Sequence, residues 1–149
     1  MATREERMRT FTLAEAHTLL PVLDALLQRA QAAAAVATAR EHALQSLSQA
    51  IFLSGGLRVD LPQVARIKAE HATAVSEAKD TLEEISSIGV EIRDLVSGLL
   101  EFPFQLGDEV VMLCWLQGEA NITQWHEAEA GWDERQPLDE RFTRGDRPQ

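Results

Sequence analysis

The sequence predicts an α+β protein: a long antiparallel helical hairpin followed by a small antiparallel sheet of three to four strands. Two observations carry this. Over residues 11–88 apolar side chains recur every three or four positions, the period of an amphipathic helix. After Gly89 the period shortens towards two, and glycine turns separate short apolar runs, the pattern of paired strands.

The first helix opens on Thr12-Leu13-Ala14-Glu15, a capping box in which the Thr hydroxyl and the Glu carboxylate satisfy each other's backbone amides. Behind it Leu13, Ala16, Leu20, Leu23, Leu27, Ala30, Ala34 and Ala37 form the inner stripe, widened by Leu19 and Leu26. Pro21 lacks an N–H, so a kink or break is expected near His17 to Leu20. The alanine-rich run from Ala30 to Ala39 restores helix propensity and permits close approach of a second helix.

"FLSGGLRVD" at 52–60 reads as the turn. Its Gly55-Gly56 is not a phosphate loop, because no Gly-Lys-Ser/Thr follows. Asp60 with Gln63 resembles a second N-cap, with Pro62 tolerated in the first turn. The second stripe reads Val64, Ile67, His71, Val75, Ala78, Leu82 and Ile85, and Gly89 is placed to stop the helix. His71 on that stripe suits a hydrogen-bonded position between helices; His17 and His42 read as surface or edge residues.

In the sheet half, "VEIRDL" at 90–95 alternates, "LLEFPF" follows Gly98, and residues 105–108 turn the chain into Val110–Leu116. Gly118-Glu119 then leads to "ANITQWHE". Val110 to Leu116 has no polar break, so both faces of this central strand need cover. A hairpin covers one. The other cover is the segment around Trp132 and Pro137-Leu138, or a second copy of the chain. Self-association, as a homodimer or higher assembly, is therefore expected, through the uncovered side of the sheet or the alanine-rich helix. The whole is read as one domain over 1–149, with 11–88 the hairpin, 89–138 the sheet and C-terminal segment, and 139–149 a flexible polar tail.

Hydrophobic residues make up 45% of the 149, which excludes a disordered chain. A net charge of −10, with no basic stripe, argues against nucleic acid and anionic membrane surfaces as partners. Cys114 has no second cysteine to pair with, and mid-strand it reads as a buried apolar residue rather than a nucleophile. "MATREERMRTFT" lacks the apolar stretch of a signal peptide, and no run reads as the ~20 apolar residues of a membrane span. A cytoplasmic location is expected.

The candidate site lies around His126. Glu101 and His126 flank the central strand from opposite neighbours, and the strand register decides whether they share a face. If they do, a carboxylate and an imidazole could hold a divalent metal ion such as zinc or serve as acid and base towards a small ligand. Glu119 is the third metal candidate. Trp125 supplies an aromatic wall and Arg135 an anion clamp, making these two the ligand-binding candidates. "HEAEA" is not a zincin motif, since Ala130 stands where a second histidine would be. No serine sits in a G-x-S-x-G elbow, and no catalytic constellation is complete.

Nearly the whole chain resembles the small bacterial proteins of domain-of-unknown-function family 2203. The resemblance rests on "FTLAEAHTLLPVL" at 11–23, "GVEIRDLVSGLLEFP" at 89–103, "VVMLCWLQGEANITQWHEAEAGW" at 110–132 and "RQPL" at 135–138. Two positions depart from it: Glu101, where the family favours aspartate, and Ala120, where proline is common. The resemblance implies a free-standing bacterial protein and marks Glu101, Glu119, Trp125, His126 and Arg135 as motif positions. It implies no activity. The residues thus lead to two expectations, a homo-oligomeric interaction or scaffold module and, as the alternative, a divalent-metal or small-ligand protein, with catalysis left open.

Overall fold

A computed structural model describes residues 9–56 and 59–143. Helix α1 spans Leu13–Leu53 and α2 Leu61–Ile88; strands β1 Glu91–Asp94, β2 Leu99–Leu106, β3 Glu109–Leu116, β4 Gln124–Glu127 and β5 Gln136–Pro137 follow. The five strands form one antiparallel sheet in chain order. Sequence alone indicates three to four. β5 is a two-residue edge strand ending in proline, too short to carry a periodicity.

The capping box forms as read. Thr12 N donates to Glu15 Oε1 at 2.9 Å, and Glu15 N donates to Thr12 Oγ1 at 3.0 Å. The first of these bonds favours the charged carboxylate and holds Glu15 below its ordinary pKa. Gln63 N likewise donates to Asp60 Oδ1 at the start of α2. α1 runs through Pro21 without a break, and the proline sits on its exposed side. His17 is more than a surface residue: its Nε2 accepts from Ile122 N at 3.0 Å.

The chain divides into two compact units. Among the described residues the first comprises 9–27 and 83–143. Its core joins Leu13, Ala16, Leu20, Leu23, Leu26 and Leu27 of α1 to Ile85 and to one face of the sheet. That face carries Leu100, Phe102, Phe104, Val111, Leu113, Trp115 and Trp125. Phe142, fully buried, packs its ring 4.9 Å from Phe104 and 5.1 Å from Trp125. The flexible tail expected from residue 139 is therefore corrected over residues 139–143. Asp139 caps a 3-10 turn over Glu140–Phe142, which sends the aromatic ring into the core. Residues 144–149 of that expectation lie outside the described residues.

The second unit, residues 28–82, is the helical hairpin alone. Arg40 Nε reaches Glu70 Oε2 at 3.1 Å across it. On α2 the stripe differs from the sequence reading. Ile67, Ala74 and Thr81, seven apart, are buried, while Val75 is 44% exposed and Leu82 only half-buried. Val75 stands one residue, about 100°, round from Ala74. By length and composition α1 is long and apolar enough to cross a membrane, contrary to the sequence expectation; one third of its most apolar window is buried.

Candidate metal centre

The geometry of the site starts at a two-residue turn. Gly107 holds φ +63°, a left-handed value that suits glycine at the first position of a tight hairpin loop. The turn pairs Leu106 with Glu109, and the ladder then sets Glu101 opposite Cys114. On the other side of β3, Met112 pairs with His126. Because side chains alternate along a strand, Met112 and Cys114 share a face, and Glu101 and His126 join them there. The register that sequence left open thus places the carboxylate and the imidazole together.

This second face is not an exposed apolar surface. Glu101, Met112, Cys114 and His126 are 2–5% exposed within the single chain, and Pro103 beside them is buried too. His126 Nε2 meets Glu101 Oε2 in a close contact, and its Nδ1 lies 2.7 Å from the carbonyl oxygen of Glu127. One oxygen, one nitrogen and one sulfur converge: a carboxylate oxygen, an imidazole nitrogen and the Cys114 thiol lie within 4.8 Å of one another.

The tautomer follows from the partners. A carbonyl oxygen only accepts, so Nδ1 carries a proton and donates to Glu127. Nε2 then points at a carboxylate oxygen, which is also an acceptor when ionised. One of the two must therefore carry a proton for the contact to be a hydrogen bond, and a bound metal ion would take that proton's place. Metal-bound histidines commonly donate their second N–H to a backbone carbonyl, which is the arrangement here.

The surroundings add charge. Arg93 Nε stands 3.4 Å from Glu101 Oε1 with its side chain 52% exposed. It occupies the register shift between Ile92 and Asp94, and such a bulge re-aims a side chain on an edge strand. The Cys114 thiol is pushed up to about 12, first by burial and next by the negative charge of Glu101; Arg135 and Arg93 pull against this. A thiol so placed is a poor nucleophile as it stands. A Cys-His-Glu triad is excluded as well, since both imidazole nitrogens are engaged elsewhere and neither serves the sulfur.

Of the residues singled out from sequence, the structure brings Glu101 and His126 together and does not add the other three to the donor cluster. Glu119 lies past the end of β3, where its Oε1 accepts from Leu116 N at 2.7 Å and its carbonyl from Trp115 Nε1 at 3.0 Å. It clamps a turn. Trp125 alternates with His126 and so sits on the opposite, core face, with its indole N–H lacking a hydrogen-bond partner. Arg135 stacks its guanidinium 4.2 Å over Trp132 and donates from Nε to the Trp132 carbonyl. Cys114 is the residue that sequence reasoning missed. The signal was present in the Gly107-Asp108 turn, since a two-residue loop places position 114 opposite 101.

The fold and this buried donor cluster define an α+β protein of the helical-hairpin type with a polar group set into one sheet face. The chain belongs to the family described as "Uncharacterized conserved protein (DUF2203)", whose model matches residues 9–138. Neither the curated proteins nor the solved structures contain a match to it.

Proposed function

We propose that the protein binds a divalent transition-metal ion, zinc above others, through Glu101, Cys114 and His126. One observation carries the reading: a carboxylate oxygen of Glu101, an imidazole nitrogen of His126 and the thiol of Cys114 lie within 4.8 Å of one another in a buried site. Oxygen, nitrogen and sulfur donors together suit zinc, a borderline-soft ion that takes carboxylate, imidazole and thiolate. Binding would convert the thiol to a thiolate and release its proton, so uptake strengthens as pH rises. Three protein ligands leave a fourth position, the pattern of zinc sites that also take water or a small ligand. A reduced, unpaired thiol among the donors suits a reducing compartment such as the cytoplasm.

The test is titration of metal-free protein with zinc, nickel and manganese, followed by calorimetry and by proton release. The cobalt derivative would report thiolate ligation by its charge-transfer band. Stoichiometric zinc binding that falls in Cys114→Ser and in Glu101→Gln is the expected result. Wild-type protein that takes up none of the three ions would overturn the reading.

The interaction-module reading rests on a strand apolar on both faces and on the alanine-rich helix. Its sheet argument is weakened, because the chain itself buries the second face. Support for self-association comes instead from the hairpin.

A further inference from the structure

The hairpin unit is poorly filled. Its buried apolar residues are Ala30, Ala33, Ile67 and Ala74. No described residue from Ala34 to Arg66 is buried. Leu44, Leu47, Ile51 and Val64, which would form the inner layer of a helical bundle, are only half-buried. Two helices alone do not enclose a core, whereas four do.

A groove of about 570 Å³ runs along this unit. Ala33, Val36, Ala69 and Ala74 line its floor, with Val36 45% exposed. Its rim carries two cations and two anions that pair within the chain, Arg29 with Glu77 at 3.9 Å and Arg66 with Glu70 at 3.7 Å. A rim already neutralised in pairs adds no net repulsion when two copies meet about a two-fold axis, and leaves the apolar floor to carry the contact.

Charge then selects the occupant. Residues 28–82 contain six basic and five acidic side chains, and the rest of the chain eight basic and nineteen acidic. Two copies meeting through the acidic remainder would repel each other, while two hairpins meet at near neutrality. The shorter helix of the unit gives a face about 33 Å long, and two helices side by side are about 20 Å wide. That is on the order of 650 Å² per copy, near the roughly 800 Å² of a standard interface.

We propose that residues 28–82 form the surface through which two copies of this chain associate, hairpin against hairpin, as a four-helix bundle. The surface shares no residue with the Glu101–Cys114–His126 cluster, and the proposal does not depend on metal.

Sedimentation equilibrium of the full chain is the test. Wild type should be a dimer, and Val36→Glu and Ala69→Glu, both at exposed groove positions, should weaken it by at least about tenfold with unchanged circular dichroism. Val96→Glu, 89% exposed in the other unit, should leave it intact. Between about 0.1 and 1 M salt, where the screening length falls from about 10 to 3 Å, the dimer should persist. A dimer that falls apart in salt would mean hairpin-to-acidic-unit pairing and overturn the proposal. So would a wild-type monomer, or a dimer indifferent to both groove variants. Should the groove variants unfold, hydrogen exchange on wild type decides. Protection that grows with concentration only in residues 28–82 supports the interface; growth in β2 to β4 refutes it.

Discussion

Replacing His126 with alanine removes one member of a buried pair, and its cost can be worked from the surroundings. Among the described residues Glu101 would keep its ion-pair neighbour at Oε1, where Arg93 Nε stands 3.4 Å away on a half-exposed side chain. Oε2 would face the space left beside Met112 and Cys114. Leaving a buried polar group without its hydrogen-bond partner costs about 1–3 kcal/mol, and more for a carboxylate that carries charge. Arg93 offsets part of this, so a loss of about 3 kcal/mol is expected in metal-free protein. Stability by itself does not separate a metal ligand from a core histidine here, because His126 is both buried and paired. Replacing both partners, Glu101→Leu with His126→Leu, separates them. Apolar groups of similar volume should recover most of the loss, since a buried pair gains little over good packing. The same double variant should bind no zinc. Urea unfolding of wild type, the single and the double variants gives the stabilities, and calorimetry gives the affinity. A loss below about 1 kcal/mol for His126→Ala would show that no buried hydrogen-bonded pair forms. Zinc binding that survives the double variant would show that the metal reading is wrong.

Leu23→Ala, at a fully buried position of α1, should cost about 2–5 kcal/mol in denaturant unfolding, and a change near zero would misplace the helix face. Phe142→Ala should cost about 3–5 kcal/mol, because its ring stacks on Phe104 and Trp125; thermal unfolding checks this, and an unchanged midpoint would mean the 3-10 turn does not dock. The Cys114 thiol of folded, metal-free protein should resist alkylation near neutral pH and react promptly once unfolded in urea. The same group makes stability pH-dependent. Its folded pKa lies above the unfolded value, so its contribution is complete below about 8.5 and is lost as pH rises towards about 12. An alkaline titration of stability that stays flat over that window would contradict it.

Local patterns made much of this molecule legible from sequence. The capping box at Thr12 and Glu15, the leucine stripe of α1 and the order of strands depend on near neighbours in the chain, and each forms as read. The stripe of α2 was less legible beyond Ile67, because alanines and threonines carry little apolar contrast to distinguish Ala74 from Val75. Phe142 was hidden for a related reason: one aromatic in a polar segment has no period, and only the place it docks reveals it.

The site divides along the same line. Sequence supplied Glu101 and His126 as chemistry-bearing residues on strands either side of β3, but alternation has a period of two, so a slip of one residue would have parted them. Tertiary structure decided the register through a two-residue turn at Gly107. With it came Cys114 into the cluster, Trp125 onto the core face and Glu119 into a turn. Short-range periodicity determined the elements; the pairing of segments distant in the chain decided which donors meet.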